Sequence, residues 1–203
     1  MPINSICMLK QYFLFTFKNL KKQKVFSVIN MLGLSVGIAC CLVILLIVKN
    51  ELSYDSFHRN EANIYRVLRT GETNGRPLKV PYLAMPYGPA LQNDFAQAVE
   101  STVRVMPDDD LISYGTEVFH EKRIYLADSN FFQFFDFKLL KGNKENVLAD
   151  PNSIVITETT AKKYFGRENP LGKVLVFNKK HPLKVTGIAA DVPSDSHLQF
   201  DMV

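Results

Sequence analysis

Between Lys24 and Lys49 the chain runs for 24 residues, Val25 to Val48, without a charged side chain, and from Met31 onward the run is dominated by Leu, Ile and Val. As an α-helix rising 1.5 Å per residue it measures about 36 Å, enough to cross a hydrocarbon core of about 30 Å. A globular core helix of that length normally keeps a polar stripe, and this run has none. A cleaved leader is the rival reading, but leader segments of about 7 to 15 apolar residues end at a small-residue site. This run instead leaves through Lys49, Asn50 and Glu51. Cys40 and Cys41 are followed by seven more apolar residues, which argues against lipid attachment there. The sequence therefore predicts a transmembrane helix over residues 25–48.

Charge sets the expected orientation. Residues 1–24 carry Lys10, Lys18, Lys21, Lys22 and Lys24 with no acid, while the rest of the chain holds 19 basic and 20 acidic side chains. Positive charge collects on the cytoplasmic side, so residues 1–24 are expected inside and residues 49–203 outside. The basic surplus lies in the arm and the folded body is near neutral, which excludes a nucleic-acid partner. Leu9, Tyr12, Phe13, Phe17 and Leu20 share one arc of a helix, with most of the lysines opposite. That pattern predicts a cytoplasmic amphipathic arm over 1–24 with membrane lipid as its partner. Gly33 and Gly37 form a Gly-x-x-x-Gly pair within the span, suited to close packing of a second helix. None of the three cysteines falls after residue 48, so the body is expected to fold without disulfides.

Beyond the span the periodicity predicts an α+β body. Strands are expected at 64–69, 101–105, 154–156, 173–177 and 183–189, with a polar loop over 71–77 turning at Asn74-Gly75. Helices are expected over 86–99, over 129–135 capped by Asp128, and from Thr157 or Glu158 to Phe165, ending at Gly166. Phe131, Phe132, Phe134, Phe135 and Phe137 crowd one segment, read as a core helix running into a strand or else as a docking patch. Asp201-Met202-Val203 follows Phe200 with no polar tail, and the chain is expected to be truncated within its last element.

Chemistry is sparse. Gly166 to Val174 resembles a phosphate loop only loosely, with five residues between Gly166 and Gly172 where a Walker loop has four, and Val174 where Ser or Thr would reach magnesium. His58, His120, His181 and His197 stand far apart, and Asp108-Asp109-Asp110 reads as a solvated turn. Ser194 to His197 holds triad residue types side by side, whereas a triad is assembled in space. No catalytic, cofactor-binding or metal-binding residue is assigned, and an enzyme is not expected.

Ordered motifs carry a resemblance along nearly the whole chain. The exit segment Glu51 to Val67, with Tyr54, Asp55, Phe57 and His58, comes first. Asp128 to Phe137 with Leu139 to Gly142 follows, then Ile154 to Gly166 with Pro170-Leu171-Gly172-Lys173. Val185 to Ile188, leading into Asp191-Val192-Pro193 and Ser196-His197-Leu198, completes the run. Together they resemble ABC transporter permeases of the FtsX-like family that carry a MacB-like periplasmic core domain, here over 49–203. The resemblance implies a dimeric permease subunit working with a separate cytoplasmic ATPase that holds the ATP. It implies a periplasmic domain that moves substrate or transmits force, with a periplasmic partner or substrate to meet. Gly33 and Gly37 are then expected to pack helices, and Tyr54, Asp55, Phe57 and His58 to join the span to the body. The alternative is a single-pass, membrane-anchored periplasmic binding or regulatory domain with no transport activity of its own.

Overall fold

The computed structural model describes residues 20–203 together with residues 12, 14–16 and 18, and the chain divides into two compact units at Ser53/Tyr54. The arc expected for the basic arm rests on Leu9, Phe13 and Phe17, which lie outside the described residues.

In the first unit one helix, α1 (Lys24–Leu52), contains the whole uncharged run. It buries no residue, and it is the one helix among the described residues long and apolar enough to cross a membrane. It closes at Ser53, whose amide and hydroxyl both donate to the Asn50 carbonyl. Lys49 sits in the last turn, where a cation suits the negative end of the helix dipole.

The second unit, Tyr54–Val203, opens with a short 3-10 helix (Glu61–Asn63) and a hairpin of β1 (Arg69–Thr73) and β2 (Arg76–Val80). Asn74 and Gly75 turn the hairpin with φ of 53° and 74°, both left-handed, which matches the twist of the flanking strands. Next come α2 (Tyr87–Asp94), the long antiparallel pair β3 (Val105–Tyr114) and β4 (Glu117–Ala127), and the short helix α3 (Phe131–Phe134). Strands β5 (Leu139–Lys141) and β6 (Ser153–Thr157), helix α4 (Glu158–Phe165), and strands β7 (Val174–Phe177) and β8 (His181–Ala189) complete the list.

The main sheet follows β4-β3-β7-β8-β5, and β6 pairs with β8 in parallel. Residues 201–203 then close the path. Met202 bridges Ile124 of β4 and Ile156 of β6, Val203 exchanges both backbone bonds with Val155, and the Tyr125 amide donates to the Met202 carbonyl. The pairing therefore runs as a ring, which leaves few strand edges open.

A ring of strands has two faces, and alternation sorts the apolar residues between them. Ile112, Ile124, Ile154, Ile156, Leu175, Val185 and Met202 point into one cluster, joined by Tyr164 and Phe165 of α4. Val155, Ala189 and Val203 point the other way, into a cluster built on Phe131, Phe132, Phe137 and Phe200. The aromatic segment is thus core rather than a surface patch. Helix α4 is capped at its start by Thr157, whose Oγ1 accepts the Thr160 amide, and at its end by Gly166 with φ of 57°.

Several expected elements shift. Residues 64–68 form no strand, and pairing begins at Arg69. The strand expected at 101–105 instead starts at Val105 and continues through Asp108-Asp109-Asp110, where a bulge between Asp108 and Asp110 absorbs the acidic run read as a turn. Strand β4 was not expected at all, because its charged residues mask the alternation. The helix expected over 86–99 is limited to Tyr87–Asp94, and that over 129–135 to Phe131–Phe134 with Asn130 as N-cap. The Asp128 carboxylate is instead engaged by Arg104, through its amide at 2.8 Å and its guanidinium at 2.6 to 3.1 Å.

Candidate functional site

The first six residues of the second unit are tied to two loops remote in sequence. Asp55 takes a left-handed φ of 56°, a conformation in which Asp is more at ease than most residues, and its amide donates to the Asp195 carbonyl at 2.8 Å. The bend turns its carboxylate onto the 195–198 loop. Oδ1 accepts the Ser196 hydroxyl at 2.9 Å and the His197 amide at 3.0 Å, and Oδ2 lies 2.7 Å from His197 Nδ1. A carboxylate can only accept, so Nδ1 carries the proton in that pair. The Tyr54 ring packs against the His197 ring, centroids 4.8 Å apart. Partial burial works to raise the Asp55 pKa, but the hydrogen bonds from His197 and Ser196 prevail and hold it below its ordinary 3.8.

Phe57 and His58 face the opposite loop. Phe57 packs on Phe137, centroids 5.5 Å apart, and His58, only 4% exposed, is ringed by Phe57, Phe135 and Phe137. His58 Nδ1 accepts the Asp136 amide at 3.0 Å, so the proton of this imidazole belongs on Nε2. Burial pushes the His58 pKa below 6.5, against the opposing pull of Asp55, Asp136 and Glu61. Arg59 completes the contact. Its amide and guanidinium give Asp136 three bonds of 2.9 to 3.1 Å, and these outweigh partial burial in lowering the Asp136 pKa.

Tyr54, Asp55, Phe57 and His58 therefore lie together, spread over two loops that are remote in sequence. Arg59, Asp136, Ser196 and His197 share the contact and were not assigned from sequence. Phe135-Asp136-Phe137 and Ser196-His197-Leu198 were nevertheless among the motifs that carried the resemblance, which was the available signal. Gly33 and Gly37 belong to α1, where a Cβ added at either position meets nothing within 4 Å.

Asp, His and Ser meet here without forming a catalytic relay. Ser196 and His197 both bond to Asp55 rather than to each other, so the imidazole does not serve the hydroxyl as a base. Among the described residues no three His, Cys, Asp or Glu side chains cluster as metal ligands. Lys173, in the loosely phosphate-loop-like segment, bonds to Glu168 and to the Tyr114 hydroxyl. Two open hollows of about 200 and 250 Å³ flank α4, and the Arg123–Asp201 and Thr159–Asp191 pairs line the second.

A family model described as the MacB-like periplasmic core domain matches residues 27–203. Over 84 residues the chain is 32% identical to the macrolide export ATP-binding/permease protein MacB of Aggregatibacter actinomycetemcomitans, covering 40% of this chain and 13% of that protein. Over 194 residues it is 25% identical to the uncharacterized ABC transporter permease YvrN of Bacillus subtilis (strain 168), covering 85% of this chain and 45% of that protein. The chain thus spans less than half the length of these curated relatives. A crystal structure of a domain of a Porphyromonas gingivalis protein described as a permease shares the fold, with a TM-score of 0.54 and 23% identity, covering 66% of this chain and 58% of that one. With its mixed α/β fold, its apolar helix and a family match from within that helix to Val203, the chain belongs to the MacB-like periplasmic core domain family of ABC transporter permeases.

Proposed function

We propose that this chain is the membrane-anchoring and periplasmic part of a permease subunit that couples ATP hydrolysis on a separate cytoplasmic ATPase to export or mechanical work in the periplasm. The observation that carries this reading is the wiring of residues 54–59. Helix α1 ends at Leu52, and by Asp55 the chain is already bonded to the 195–198 loop, with His58 and Arg59 bonded to Asp136 immediately after. A displacement of the helix end would reach the body through a short, doubly fastened segment rather than be lost in a flexible linker. In this scheme Tyr54, Asp55, Phe57 and His58 act as transmission residues, and the chain performs no bond chemistry of its own.

The lysine-rich arm supports a cytoplasmic N-terminus, with residues 49–203 in the periplasm. The open faces of Gly33 and Gly37 support close packing against the span of a second permease copy.

Capture of the tagged protein from its native membranes in mild detergent tests the proposal. An ABC ATPase should copurify in stoichiometric amount, and a differently tagged second copy should copurify with the first. Recovery of the protein free of any ATPase would overturn the coupling.

A further inference from the structure

The two histidines at the junction make opposite demands on their Nδ1 atoms. His197 must keep a proton there to bond Asp55, whereas His58 must lack one to accept the Asp136 amide. Protonating His58 would set an Nδ1–H donor against the Asp136 N–H donor across 3.0 Å, inside a cage of Phe57, Phe135 and Phe137. Two donors cannot share a hydrogen bond, and a buried imidazolium needs acceptors that the aromatic cage does not supply.

The charged groups facing this imidazole are Asp55 beside it, Glu61 on the following 3-10 helix and Asp136 on the opposite loop. Two of the three are already engaged, Asp136 by Arg59 and Asp55 by Ser196 and His197.

We propose that His58 is a proton-operated latch, which holds residues 57–59 against the 135–137 loop while neutral and releases that loop on mild acidification, with the Asp55 contact to residues 195–198 left in place. The inference deepens the reading of residues 54–59 as a transmission segment: acid outside the cell membrane would uncouple one of its two fastenings. The window follows from the groups involved. Burial works against the imidazolium, so release begins below the ordinary histidine value of 6.5, while Asp55 and Asp136, both held below 3.8, stay ionised.

The test is hydrogen exchange on the full chain in detergent micelles between about pH 7.5 and about pH 5, corrected for the intrinsic pH dependence of exchange. Segments 57–59 and 135–137 should lose protection by about tenfold, as expected for loss of the hydrogen bond that ties them, while the 195–198 loop keeps its protection. In His58→Asn, where the side-chain oxygen can still accept the Asp136 amide but does not titrate, that loss should vanish. A wild-type chain with no loss in this window, or an equal loss in His58→Asn, overturns the latch.

Imidazole ¹⁵N shifts of the wild-type chain give a second readout that needs no variant. His58 should be the Nε2–H tautomer at neutral pH and become imidazolium as the Asp136 amide loses protection. Titration of the ring with that amide still protected also overturns the proposal. Capture of an ATPase at neutral pH reads the transmission scheme separately, so failure of the latch leaves that result standing.

Discussion

The His197 imidazole lies 2.7 Å from the Asp55 carboxylate although the two residues are 142 positions apart in the chain. With the Ser196 hydroxyl and the His197 amide on the same carboxylate, this contact fastens the start of the folded body to the segment that leads into its closing residues.

Asp55→Asn keeps a residue that tolerates the left-handed backbone but removes the charge from three hydrogen bonds. Loss of charge-assisted bonds in a partly exposed setting is expected to cost about 1–3 kcal/mol, read as a lower urea midpoint for the second unit within the full chain. The pH dependence carries a definite sign. The folded-state pKa of Asp55 is lowered, so its contribution is complete above the unfolded value near 3.8 and is lost as pH falls through the folded value. The stability difference between wild type and Asp55→Asn should therefore narrow below pH 3.8, and a difference independent of pH there would count against the carboxylate's role.

Gly187 in β8 is held to glycine by packing. A Cβ there would come within 2.5 Å of Val147 Cγ2 and 3.1 Å of the Lys141 carbonyl. Gly187→Ala is expected to destabilise by about 1–3 kcal/mol through overpacking. Adding Val147→Ala should recover part of that loss, because it removes the methyl that collides. A double-mutant cycle by thermal unfolding checks the coupling, and strict additivity would place the strain elsewhere.

Glu121 is 6% exposed and is held by the Lys163 ammonium at 2.7 Å and the Tyr164 hydroxyl at 2.6 Å. Burial, then the adjacent carboxylate, pushes the Tyr164 pKa far above that of a free phenol. In an alkaline titration followed by phenolate absorbance, Tyr164 should ionise only as the body unfolds. Tyr164→Phe should remove that late-titrating phenol and cost about 0.5–1.5 kcal/mol, since Glu121 keeps its lysine.

The long apolar helix α1, the Asn74-Gly75 turn and helix α4 with its glycine stop were legible in the sequence because each depends on neighbours a few residues away. A long uncharged run, a left-handed pair and a capped amphipathic turn carry their own signals. Strand β4 and the course of β3 through three aspartates were not legible. Their side chains read as solvated polar sequence, and only pairing with each other over most of their length makes them strands.

The candidate site divides in the same way. The sequence by itself determined that a charged and aromatic segment, Tyr54 to Arg59, follows the long apolar helix directly, because hydropathy and chain order are local properties. Only the tertiary structure decided what that segment holds. Closure of the strand ring through Met202 and burial of the Phe131–Phe137 segment bring residues 135–137 and 195–198 to either side of it, and so determine which histidine carries a proton on Nδ1 and which must not. Hydrogen bonds across some 77 to 142 residues leave no periodicity to read, since their partners become neighbours only when the apolar residues between them have found a common core.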